Sequence, residues 1–100
     1  MSTIPEGHTL FVVDIEYTVP MEQIQAVIEP HMAFVRNAYA EGRFIASGAK
    51  VPRTGGVIVM TAPSLEDAQA YLAADPFVTE NVASYSYTQF MPSNLHPALK

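Results

Sequence analysis

Glu29-Pro30-His31-Met32-Ala33-Phe34-Val35 is the stretch whose reading decides the fold. Around it Ile24, Val27, Ile28, His31, Val35 and Ala38 keep the three-and-four spacing of one helix face. Pro30 has no N–H, and its ring crowds the preceding turn. The spacing therefore predicts a helix that kinks at Pro30, or one that begins afresh with Pro30 at its first position. In either case His31 falls on the apolar, inward face, beside backbone groups that the proline loosens.

Upstream, Leu10-Phe11-Val12-Val13-Asp14-Ile15-Glu16-Tyr17 reads as a strand over residues 9–17. Its first half is apolar on both faces, and its second half alternates. Thr18-Val19-Pro20 opens the helix, with Thr18 or Val19 near the cap and Glu22 in the first turn, where the dipole favours an acid. Gly42 stops it as a C′ residue. Residues 43–48 read as a second strand and 49–54 as a polar connection containing Pro52. Gly55-Gly56 ends that turn, and Val57-Ile58-Val59-Met60-Thr61 is a third, almost wholly apolar strand. Ser64-Leu65-Glu66-Asp67 has the serine cap and acidic first turn of a helix start, with Leu65, Ala68, Tyr71 and Leu72 turned inward and an end near Ala74. Asp75-Pro76 breaks that helix and reads as a cap plus first position for a short turn over Phe77 and Val78. Residues 82–91 alternate, with Ser84, Ser86 and Thr88 on one face and Tyr85, Tyr87 and Gln89 on the other, as a half-buried strand does.

The order β-α-β-β-α-β predicts a ferredoxin-like α+β fold: a four-stranded antiparallel sheet, two helices on one face, the first and third strands central. It is expected as one domain over residues 1–100, with its core at about 9–91, a loose leader at 1–8 and a short tail at 92–100. Water on the open face would require the central strands to alternate, and they do not. A second copy of the same sheet is the simplest cover, so a homodimer packed sheet to sheet is expected.

Five Lys and Arg against ten Asp and Glu give a net charge of −5, and the cations are scattered at Arg36, Arg43, Lys50, Arg53 and Lys100. Without a basic patch, nucleic acid and anionic membranes are poor partners. The absence of cysteine removes disulfides and thiolate chemistry and fits a reducing compartment. The first residues lack the basic and apolar regions of a signal peptide, and no apolar run approaches the ~20 residues of a membrane span. The cytoplasm is the expected location.

Several short pieces fall in a fixed order: Pro30-His31 on the first helix, Glu41-Gly42 and Ser47-Gly48 around the second strand, Gly55-Gly56 before the third, Ser64-Leu65-Glu66-Asp67-Ala68, and Asp75-Pro76-Phe77. Together, over residues 9 to 91, they resemble the YciI-like family of small dimeric α+β barrels. The resemblance implies a histidine and aspartate active-site pair at His31 and Asp75. It also implies cofactor-independent chemistry of the kind found in the family's dehydrochlorinase of chlorinated hydroxyquinols and, on the same fold, in muconolactone isomerase. Two departures stand out. Ala49 follows Ser47-Gly48 where the family often has proline, and Ile28 stands where it often has an arginine that would clamp an anion.

His31 suits proton transfer at neutral pH, since an ordinary imidazole titrates near ~6.5. It could equally be a buried histidine satisfied by a carboxylate or carbonyl. Asp75 could hold and orient the ring, or simply cap its turn. Ser47, Gly48 and Phe77 are the candidate substrate-binding residues; the glycine could instead only permit a bend. Asp14 and Glu16 share one face of the first strand, as proton-sharing or metal-binding carboxylates do, though such pairs are usually solvated. Tyr85 and Tyr87 could line a pocket, though tyrosine on a half-buried face is usually packing, and His8 and His96 lie in segments expected to be mobile. No His-x-His or Glu-x-x-His spacing occurs, so neither a metal nor another cofactor is expected. Two functions remain: a cofactor-independent enzyme of isomerisation or elimination on a small cyclic or carbonyl-bearing molecule, or a binding or accessory module in which the His–Asp pair is a structural tie.

Overall fold

Pro30 does not end the helix. In the computed structural model, which describes residues 3–100, α1 (Met21–Ala40) runs unbroken through it. The reason lies in which face the proline occupies. Pro30 and Ala26, whose carbonyl loses its helical partner, are both exposed, so water can reach the freed oxygen. The inward stripe survives: Ile24, His31, Val35 and Ala38 are buried. The helix also starts later than its sequence suggests, with Pro20 as the cap and no side-chain cap bond. It ends as expected. Gly42 takes φ 76°, its N–H donates to Tyr39 O, and Arg43 N–H donates to Ala38 O at 2.9 Å, which is a Schellman closure.

The strands are β1 (Thr9–Tyr17), β2 (Phe44–Ala49), β3 (Gly55–Ala62) and β4 (Ala83–Phe90), in the antiparallel order β2-β3-β1-β4. The two apolar strands are central, as expected. The chain thus has an α+β, ferredoxin-like architecture. α2 (Leu65–Leu72) starts at Ser64, whose hydroxyl accepts from Asp67 N–H, and buries Ala68 and Leu72; Leu65, expected inside, is exposed. α3 (Pro76–Thr79) is a third helix, a single turn capped by Asp75.

Register assigns the faces. Phe11, Val13 and Ile15 lie opposite Met60, Ile58 and Gly56 on β3 and Gln89, Tyr87 and Tyr85 on β4. These residues form the side packed on the helices, where Phe11, Val13, Ile58 and Met60 are all at most 2% exposed and join Val35, Ala38, Phe44 and Leu72 in the main core. A smaller cluster, Ile24, Phe77 and Val82, packs under the first half of α1. On the other face Val12 lies opposite Val59 and remains 36% exposed, while Asp14 and Glu16 point to solvent. From Phe11 onward β1 therefore does alternate, while Thr9, Leu10 and Phe11 are all buried. Asp14 is paired with Lys50 at 2.9 Å, and among the described residues no group of three potential metal ligands forms.

The ends are better tied than the sequence suggests. Ile4 is buried, His8 Nδ1 hydrogen-bonds Thr61 Oγ1 at 3.0 Å, and His96 caps a 3-10 turn (Pro97–Leu99) by accepting from Ala98 N–H. Residues 1 and 2 of the expected leader lie outside the described residues. Among the described residues no helix is long and apolar enough to cross a membrane.

The glycine pair belongs to β3 rather than to the turn before it, and the reason is spatial. A Cβ on Gly55 would sit 1.8 Å from the Ile15 carbonyl oxygen, a backbone atom that cannot yield without breaking the β1–β3 ladder. Gly55→Ala should cost at least about 3 kcal/mol by overpacking. Gly48→Ala, with open space at its Cβ, should change stability by less than about 0.5 kcal/mol. Denaturant unfolding of the two variants measures the contrast.

Candidate functional site

Asp75 and Pro76 build the site locally. Proline supplies the fixed φ of a first helical residue and lacks an N–H that would otherwise be orphaned. Asp75 Oδ1 then accepts from Phe77 N–H at 3.0 Å and caps α3. This turn packs against α1, and the same carboxylate oxygen meets His31 Nδ1 at 2.8 Å. Tyr85 OH, arriving from β4, donates to Asp75 Oδ2. The carboxylate is fully buried, at 0% exposure, and accepts from three donors on three elements.

An ionised carboxylate can only accept, so Nδ1 carries the proton in this pair, and the tautomer follows from that chemistry. Nε2 is then the ring atom left for another partner. The His31 ring lies flat on Phe77, with centroids 3.7 Å apart and planes within 1°. Phe77 is itself set edge-on to Tyr17 at 6.0 Å. The imidazole is thus fixed in tautomer by Asp75 and in plane by Phe77.

His31 borders a cavity of about 240 Å³ between α1 and the β2–β3 end of the sheet. Small-molecule pockets usually start near ~300 Å³, so this one has room for a single ring. Its walls are largely apolar, with Ile15, Ile28, Val35 and Ile58 among them. Ser47, Gly48 and Phe77, the three expected binding residues, all line it. Ser47 hydrogen-bonds Tyr39 OH at 2.8 Å, and Phe77 contributes chiefly the face that holds the imidazole. Asp75 sits behind the ring and does not line the cavity.

Two residues of the site have roles that the sequence does not show. Tyr85 reads as packing or pocket lining because its alternation places it inward without saying which β1 residue it meets. Its position opposite Ile15 sends it toward Asp75. Arg53 reads as one scattered cation. It lines the cavity because the hairpin loop is drawn over, with Tyr17 N–H donating to Thr54 O at 3.0 Å.

Burial first, then the charge of Asp75 and the hydrogen bond to it, hold the Tyr85 phenol far above the ordinary tyrosine value of 10.0. Tyr87 is raised by burial and then by Asp75, and Tyr71 is pushed up to about 12 by burial and then by its bond to Glu41.

A family model described as the YCII-related domain matches residues 8–91. No curated protein matches the chain. Three solved structures are similar in fold. One is 5-chloro-2-hydroxyhydroquinone dehydrochlorinase (TftG) from Burkholderia phenoliruptrix, in complex with 2,5-dihydroxybenzoquinone. Its TM-score is 0.69 at 16% identity, over 81% of this chain and 92% of that one. The second is SnoaB, a cofactor-independent oxygenase from Streptomyces nogalater, with TM-score 0.51 at 13% identity over 90% and 97% of the two chains. The third is MtbAldR, with TM-score 0.54 at 10% identity over 92% of this chain and 59% of that one. At such identities the likeness is one of architecture.

The tyrosine shifts set a pH window. In alkali the unfolded chain's tyrosines lose protons from about pH 10 upward, while native Tyr85 keeps its own. The unfolded state then binds fewer protons, so stability is full below that pH and falls above it. Tyr85→Phe leaves Asp75 Oδ2 short of a donor and should cost roughly 1–3 kcal/mol at neutral pH. It should also make the alkaline decline shallower. Denaturation midpoints taken from about pH 8 to 11 read both effects.

Proposed function

The chain belongs to the YCII-related domain family, and from that premise we propose that it is a cofactor-independent enzyme using His31 and Asp75 for proton transfer on a small cyclic or carbonyl-bearing molecule. The observation that carries this reading is the His31 ring: held at Nδ1 by a buried carboxylate, it borders a cavity of one-ring size. Neighbours described as a dehydrochlorinase and as a cofactor-independent oxygenase support chemistry of this class on this scaffold.

Nε2 would take a proton from a carbon beside a carbonyl, and the C–H electron pair would pass to the carbonyl oxygen as an enolate. Two outcomes balance. The enolate collapses and recovers a proton from Nε2 at another carbon, which is isomerisation. Alternatively, the electron pair expels a halide from the adjacent carbon and the proton leaves with solvent, which is elimination. Asp75 stabilises the imidazolium formed in between, and Phe77 keeps the ring from turning. Ser47 and Gly48 would bound the substrate at the β2 edge. Apolar walls keep the cavity poor in water, which strengthens the pair's electrostatics.

A panel of chlorinated hydroxyquinols and unsaturated lactones, read by chloride release and ultraviolet absorbance, tests the proposal. His31→Asn should lower kcat by about 10²- to 10⁴-fold with the fold intact. Turnover unchanged by that substitution would make the pair a structural tie and the protein a binding module.

The reading includes a homodimer through the open sheet face, where Val12, Val57 and Val59 form the apolar centre. Sedimentation should give twice the 10.9 kDa chain mass for the wild type and the single-chain mass for Val59→Lys, whose charge would face the partner sheet.

A further inference from the structure

We propose that Arg53 makes the cavity selective for anions, so that its ligand is a small flat organic anion with its charged group at the guanidinium and its ring among the apolar walls. This rests on the reading that the cavity is the substrate site, but it does not require His31 to act as a base.

Four observations carry it. Arg53 lines the cavity from the hairpin loop and, among the described residues, makes no hydrogen bond or ion pair. A guanidinium is permanently charged and presents a planar fork of donors suited to a carboxylate or another oxyanion. No carboxylate lines the cavity, since Asp75 is shut behind the imidazole and Asp14 is engaged by Lys50. The remaining lining is apolar except for His31, Tyr17 and Ser47, so nothing else there carries a fixed charge.

The overall field works in the opposite sense. At a net charge of −5 the protein as a whole repels anions, so any preference for one must come from a local cation. The position is also productive. Arg53 and His31 line the same cavity of about 240 Å³, so a ligand small enough to fill it and held by the guanidinium would also lie against the imidazole.

Chemical-shift titration of the isotope-labelled protein near pH 7 tests this with two matched pairs. Benzoate against benzamide probes a carboxylate, and dinitrophenolate against dinitrobenzene probes a phenolic oxyanion. Wild type should bind the anion of at least one pair about tenfold more tightly than its neutral counterpart, and the pair that responds identifies the anionic group. Arg53→Gln, an exposed substitution, should reduce the preference to within about twofold while the thermal midpoint stays in place. His31→Asn should keep the preference even if turnover is lost, which separates this proposal from the catalytic one. Absence of preference or of binding in both pairs, or a preference that survives Arg53→Gln, overturns it.

Discussion

The structure around the site depends on a buried anion. Asp75 has no exposure, and an isolated carboxylate in that position would cost several kcal/mol. It is tolerated because three donors meet it: an imidazole from α1, a backbone amide from α3 and a phenol from β4. Each donor fixes the element that carries it. The single turn of α3 would have little reason to form without its cap, and α1 is tied to it at the one histidine on its inner stripe. The ring that results is held by hydrogen bond on one edge and by stacking on one face, which is the preorganisation a proton-transfer group needs.

Much of this was legible in the chain. The period-3.6 stripe through Ile24, His31 and Val35 placed the histidine inside, and Asp-Pro-Phe specified a capped turn. Both are local patterns, written within a few residues. The β-α-β-β-α-β order followed from them and from the two apolar strands. The meeting of His31 with Asp75 was different. The two are 44 residues apart, and their juxtaposition was implied by family resemblance rather than by any property of either residue. The roles of Tyr85 and Arg53 escaped for a related reason. Strand register and loop path are set by the whole sheet, and a side chain's neighbours across strands cannot be read from its own alternation. Of the two readings at Pro30, the fresh start is ruled out by the unbroken helix. The proline rule concerns the lost hydrogen bond, and the rule is relaxed where the orphaned carbonyl faces water.

The cavity divides its labour sharply. Aliphatic walls supply burial and water exclusion, the imidazole supplies a titratable nitrogen, and the hairpin loop supplies charge. Ile28 belongs to the wall although the resembled family often has an arginine at that place. In this chain the cation that lines the cavity sits on a loop, a segment that can change length or sequence without disturbing the core. A scaffold of this kind can alter what its cavity accepts while keeping the His31–Asp75 contact fixed.

β4 pairs with a single neighbour, β1, and forms one margin of the sheet. Edge strands are where native-state opening begins, because half their backbone groups have no partner strand. Here that margin also carries the phenol that completes the Asp75 shell. Fraying of the strand near Tyr85 would take the phenol away from Asp75, the carboxylate that also holds the histidine. Slow amide exchange near Tyr85 would accordingly report an intact Asp75 shell as well as a paired edge.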